Sequence, residues 1–295
     1  ATGTNTMTVT TLDDGAASDA TLKINTTNGA TTIAGTIDGA AAGEGTLLIY
    51  DDDNGAAGQI ATFSSAIGAS KKLKAITVGT ANTVVGNATW DSTVAATTIT
   101  VNGGNHADED SLVTASGAVT ATTINVNGTT NASATSTILD VNADVTSPTI
   151  NITAGTADAG ADATLKVTGD ITASTLFKFT DAAGQGTSLL DVDGTTAQTV
   201  TGAITASASG NGDITVNNAA GVTFANNIGA VGTEIGTVTI AAGKVADFGG
   251  RVDAGAMVIT ANSATKATFN GLVTLDSGGS GAGTLGIGAA STIKI

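Results

Sequence analysis

Ile99-Thr100-Val101-Asn102, Ile124-Asn125-Val126-Asn127 and Ile150-Asn151-Ile152 are three statements of one short phrase: apolar, any residue, apolar, then often Asn, Asp or Gly. The phrase occurs earlier as Leu22-Lys23-Ile24-Asn25. It returns as Leu165-Lys166-Val167, Leu190-Asp191-Val192-Asp193, Ile214-Thr215-Val216-Asn217 and Val238-Thr239-Ile240. From Ile99 onward the steps between starts are 25, 26, 15, 25, 24 and 24 residues. The short step marks a second series half a turn out of phase, seen at Leu139-Asp140-Val141 and Leu165, while Leu176-Phe177-Lys178-Phe179 resumes the first. Apolar–polar alternation is the period of a strand with one buried side. A strand phrase recurring at a near-constant interval is the mark of a solenoid, in which each coil is buried only by its neighbours.

The expected fold is therefore all-β: a parallel β-helix (β-solenoid) with about 24–26 residues per coil, continuous over residues 1–295. That length allows roughly 12 coils. Stacked ~4.8 Å apart, they make a rod on the order of 55 Å long.

Composition agrees with a narrow lumen. Only 3% of residues are aromatic, whereas 40 are Gly and close to one in five is Thr. A globule anchors its core on large rings, but Val, Ile, Leu and Ala suffice inside a thin coil. Thr and Val are β-branched and favour strands, and Gly and Asn supply the corners. The apolar residues alternate rather than scatter, which sets the chain apart from a disordered one.

The net charge is −15, with only 10 basic residues, and Arg251 is the sole Arg. Nucleic-acid binding needs basic surface against phosphate, so that class is excluded. Attraction to anionic membrane surface is disfavoured for the same reason. No run of 18 apolar residues exists, so no membrane insertion by a helix is expected. With no Cys, the chain is not a disulfide-stapled scaffold.

Strands are expected over residues 4–10, near Leu22, from Ile33 to Ile37 and from Leu47 to Tyr50. Residues 51–75 repeat least and form a candidate irregular insertion. Ile60, Phe63 and Ile67 stand at helical spacing there, but a second repeat favours a strand. Thr62-Phe63-Ser64-Ser65-Ala66-Ile67-Gly68-Ala69 matches Thr223-Phe224-Ala225-Asn226-Asn227-Ile228-Gly229-Ala230. Phe248 and Phe269 stand in similar settings, 24 and then 21 residues further on from Phe224. A Phe at one fixed corner of successive coils would form a ladder inside the lumen. The chain opens on Ala1 and closes on Ile293-Lys294-Ile295 in strand chemistry. An uncapped solenoid end exposes unpaired backbone, so the segment is expected either to continue in a longer protein or to dock on another subunit.

Catalytic chemistry is poorly served. His106 is the only His, which leaves no His pair for zinc, and no Gly-x-Ser-x-Gly elbow surrounds a Ser. Polysaccharide hydrolysis needs paired carboxylates; Asp191 and Asp193 are examples, but Trp90 and Tyr50 are single and give no sugar platform. Calcium is the better-served cofactor, because it takes six to eight oxygen ligands. Asp51, Asp52, Asp53 and Asn54 form one oxygen-rich loop, and Asp108, Glu109 and Asp110 another. Neither fits an EF-hand. Alternate Thr residues, as in Thr98-x-Thr100 and Thr237-x-Thr239, raise ice binding, but they also suit any exposed strand.

The Thr-Phe-x-x-x-Ile-Gly-Ala elements and the Ile-x-Val-Asn-Gly strands resemble bacterial secreted repeat proteins: autotransporter passengers, filamentous-haemagglutinin-like adhesins and surface-layer proteins. The resemblance lies in composition and period over most of the chain. It implies export, a parallel β-helix and a place outside the cell, at the bacterial surface. The functional expectation is a non-enzymatic structural protein that forms a homo-oligomer or homopolymer as a surface layer or filament. The alternative is an adhesin stalk contacting a host surface or glycan, with recognition carried by loops that leave the period, such as 51–75 or 103–112.

Overall fold

The computed structural model describes residues 5–8, 11–13, 20–27, 29–52, 59–81, 83–104, 110–129, 135–156, 161–181, 186–276, 283–289 and 291–294. The apolar members of the strand phrase find one another across coils. Val113, Leu139, Leu165, Leu190, Ile214 and Val238 are successive partners on parallel strands. All six are fully buried. Alternation puts one side of each strand inward, and parallel in-register stacking then lines up like with like. The result is all-β, a parallel β-solenoid of about ten turns around one continuous apolar lumen.

Each coil visits three faces in a fixed order. The first face carries Ser111–Ala115, Thr137–Val141, Ala163–Val167 and Ser188–Val192. The second carries short strands such as Val145–Thr146 and Ile171–Thr172. The third carries Thr149–Thr153 and Leu176–Thr180. The two series read from the sequence are the third face (Ile99, Ile124, Ile150, Phe177) and the first (Leu139, Leu165, Leu190, Ile214, Val238).

Coil length follows from how the chain passes from the third face back to the first. Between Ile214 and Val238 the step is 24 residues, but between Val238 and Met257 it is 19. There Val252–Ile259 runs from the third face onto the first as one strand, with no intervening loop.

The Phe ladder forms on the second face. Phe224, Phe248 and Phe269 are successive partners, with ring centroids 5.3 and 4.9 Å apart and planes within 7°. Phe63 does not belong to it. It lies on the first face, opposite Ile33 and Trp90. What the two Thr-Phe-x-x-x-Ile-Gly-Ala stretches share is a corner, one face out of step. Ile67 and Ile228 each bridge the coils on both sides. The following Gly68 and Gly229 have φ of 68° and 69°, and a Cβ there would lie 2.0 Å from the Ala95 carbonyl oxygen or 2.1 Å from that of Asp253. Only Gly fits a corner with both positive φ and so close a carbonyl.

Within 51–75, residues 53–58 lie outside those described. Ile60–Phe63 and Leu73–Val78 are regular strands on the first and third faces, with Ile67 between them on the second. No helix occurs among the described residues, and none is long and apolar enough to cross a membrane.

Candidate functional site

Acidic and amide side chains at the corners serve first as links between coils. A corner N–H that turns out of the ladder needs an acceptor. Asp144 Oδ1 accepts the Asp170 N–H at 2.9 Å, Asp162 Oδ1 the Thr187 N–H at 2.7 Å and Asp213 Oδ1 the Thr237 N–H at 2.7 Å. Asn87 Oδ1 does the same for the Leu112 N–H at 2.8 Å. Each donor lies about one coil further along the chain.

The described members of the expected calcium set also accept hydrogen bonds, Asp110 and Asp52 from other coils and Asp51 from a residue eight further along the chain. Asp110 Oδ1 accepts the Ser136 N–H at 2.7 Å. Asp51 is buried, and its Oδ2 accepts the Gln59 N–H at 3.0 Å. Asp52 turns to the preceding coil, accepting from the Thr27 hydroxyl and from Asn25 Nδ2. Those two bonds, Thr27 first, hold its carboxyl below the ordinary range. Asp53, Asn54, Asp108 and Glu109 lie outside the described residues, as does His106. Among the described residues, no three acidic or His side chains gather in a way that could hold a metal ion. Arg251 reaches the buried carboxylate of Asp253, two residues on.

Carboxylates do gather on the outer side of the first face. The middle residues of three successive phrases, Asp140, Lys166 and Asp191, are direct partners. Lys166 Nζ lies 3.2 Å from Asp193 Oδ2, and Asn217 Nδ2 donates to Asp191 Oδ1 at 2.7 Å. Partial burial raises the Asp140 carboxyl, opposed by the charge of Lys166. Burial likewise raises Asp191 against the Asn217 hydrogen bond, and Asp213 against the Thr237 N–H. The hydrogen bond to Asp193 leads the causes that raise Lys166. Asp191 and Asp193 were singled out from sequence; Asp140, Lys166, Asp213 and Asn217 were not. For Asp140 and Lys166 the signal was present, because aligning the phrases on their apolar residues puts Asp140, Lys166 and Asp191 in one outward column.

Two concavities flank this strip. One, of about 520 Å³, sits at the corner between the first and second faces, bounded by Asn142, Thr168, Asp193, Thr195 and Thr196 over a floor of Ala143, Gly169 and Gly194. It exists because the turn after Asp193 is longer than its counterparts: 29 residues separate Ile171 from Val200, against 26 from Val145 to Ile171. Buried Gln198 anchors that turn by donating to the Val167 and Gly169 carbonyls at 3.1 and 2.7 Å, and Asn218 Nδ2 donates to the Thr196 carbonyl at 2.7 Å. The other, about 270 Å³, is a groove between Asp162, Thr164, Leu189, Asp213 and Thr237.

The third face is different in character. Residues 98–102, 123–127 and 149–153 present Thr98, Thr123 and Thr149 in one column and Thr100, Asn125 and Asn151 in the next. Asn151 Nδ2 donates to Asn125 Oδ1 at 2.9 Å, and Asn125 Nδ2 to Thr100 Oγ1 at 3.3 Å. Asn127 Nδ2 donates to Asn102 Oδ1 at 3.0 Å in a third column. These bonds hold an uncharged polar panel in register.

Comparison of the chain with family models, with curated proteins and with solved structures gives no match.

Proposed function

We propose that the chain is an extracellular structural protein whose solenoid associates with further copies into a surface layer or filament. The observation that carries this reading is the pair of long, in-register faces of opposite character: an acidic strip on the first face and an uncharged Thr/Asn panel on the third. A rod with such faces lays one side of a copy along the other side of the next over several coils. Placement outside the cell rests on the likeness to secreted repeat proteins, and no reaction is assigned to the chain. The test is negative-stain imaging of the purified protein with calcium and then with chelator. Ordered sheets or filaments support the reading, and their loss on chelation would make a cation the bridge. Isolated rods under both conditions would contradict it.

A second reading, an adhesin contacting a glycan, is favoured by the corner cleft beneath residues 193–197, where the chain departs from its period and lines a concavity with hydroxyl and amide groups. Binding to a panel of polysaccharides, lost when residues 194–196 are shortened to the length of the neighbouring turns, would support it.

A further inference from the structure

We infer that the solenoids pack side by side, the first face of one copy against the third face of the next, displaced by one coil so that Lys178 meets Asp140. This rests on the self-assembly reading and names its contact. With a net charge of −15, copies repel one another unless they meet through surfaces that are uncharged or opposite in sign. The third face supplies such a surface. Its central outward column runs Lys23, Leu48, Thr77, Thr100, Asn125, Asn151, Lys178 and Thr205 without a carboxylate. The matching column of the first face runs Thr62, Thr89, Thr114, Asp140, Lys166, Asp191, Thr215 and Thr239.

The two columns are complementary one coil out of step. Lys178 belongs to the same coil as Lys166, since Ala163–Val167, Ile171–Thr172 and Leu176–Thr180 follow in one turn. Rods set side by side in the same direction but displaced by one coil, ~4.8 Å, bring Lys178 of one copy level with Asp140 of its neighbour and clear of Lys166. The same alignment sets the Thr/Asn panel against Thr62, Thr89 and Thr114, polar against polar. A five-residue strand is ~17 Å wide and a rod of about ten coils ~50 Å long. The contact then covers roughly 800 Å² per partner, the size of a specific interface. Because two different faces meet, each copy keeps one free face of each kind, and lateral growth continues as a staggered sheet.

Sedimentation velocity and negative-stain imaging of the full chain test this, with circular dichroism confirming that each variant keeps its fold. Lateral association should weaken as salt shortens the Debye length. It should fall at least tenfold in Lys178→Glu and in Asp140→Lys, the latter altering a carboxylate whose Oδ1 has no hydrogen-bond partner. Thr123→Glu, which places a charge in the panel without touching Lys178, should weaken it too. Mixing Lys178→Glu with Asp140→Lys should restore association, because the unaltered faces still match and the two altered faces are again opposite in charge. Association that is indifferent to salt and to all three variants would overturn the lateral pairing while leaving self-assembly standing. Wild-type protein that stays single at every concentration would overturn both.

Discussion

Phe224 and Phe248 lie face to face in the lumen, ring centroids 5.3 Å apart and planes inclined by only 5°, although 24 residues separate them in the chain. Phe269 extends the stack by one coil. Phe248 therefore packs on a ring on each side. Phe248→Ala is expected to cost about 3–5 kcal/mol, and Phe248→Leu much less. Denaturant unfolding of Phe224→Ala, Phe248→Ala and the double variant should show non-additivity, because the two share a contact. Additive losses would mean that the rings do not meet.

Gly212 has φ 77°, and a Cβ there would lie 2.2 Å from Phe179 Cγ. Gly212→Ala meets both backbone strain and an aromatic ring, so it should destabilise by more than about 1 kcal/mol. Phe179→Leu in the same chain should recover little of that loss, because leucine keeps the Cβ and Cγ positions, which lie 2.4 and 2.2 Å away. A neutral Gly212→Ala would contradict the close approach of these two coils.

The carboxyl of Asp162 serves the Thr187 N–H of the next coil. Asp162→Asn keeps an acceptor oxygen and should leave the unfolding midpoint almost unchanged. Asp162→Ala strands the N–H and should cost about 1 kcal/mol. Equal effects would show that the charge, and not the acceptor, is what matters there.

Burial raises the carboxyls of Asp140, Asp181, Asp191 and Asp213 above the ordinary value of 3.8. A carboxyl raised on folding binds its proton more tightly in the native state. Its contribution to stability is complete below the unfolded value and is lost as pH rises through the folded one. Glu234 works in the other direction. Burial pushes it up, but the nearby Ser209 hydroxyl, the hydrogen bond from the Gly232 N–H and the charge of Arg251 leave it lowered. Its contribution is lost as pH falls through its folded value. With four raised groups on and beside the first face, the melting temperature should climb as pH falls from neutral into the range just above 3.8, then drop as Glu234 protonates. Asp191→Asn with Asp213→Asn should flatten the climb. A melting temperature that falls steadily from neutral pH downward would contradict the raised set.

The absence of Cys makes the register directly testable. Thr146 and Thr172 are partners on adjacent second-face strands and both are exposed. Parallel neighbours about 4.8 Å apart fall within disulfide reach. Thr146→Cys with Thr172→Cys should therefore oxidise to an intramolecular bond without loss of structure, whereas Thr146→Cys with Ser207→Cys should not.

Legibility in the sequence depended on strand length. Phrases of five residues, such as Thr137–Val141 and Thr149–Thr153, show alternation and gave away the first and third faces. The second face is made in places of two residues, Val145–Thr146 and Ile171–Thr172, too few for a period to be visible. The Phe ladder was readable because a rare residue recurred at coil spacing. Phe63 was grouped with it because Phe-x-x-x-Ile-Gly encodes a corner, and the same corner is used between different faces. For the acidic loops, sequence offered oxygen-rich composition. The structure shows that Asp51, Asp52 and Asp110 already accept hydrogen bonds, from Gln59, Asn25 and Ser136, partners that only the folded arrangement of the coils brings within reach.

Sedimentation velocity of the unmodified chain over a wide range of concentration tests self-association most directly. The weight-average coefficient should rise with concentration without settling on a fixed small oligomer or a monomer plateau, as repeated contact between two unlike faces requires. A single monomeric species from the lowest to the highest concentration, at low salt and at high, would contradict it.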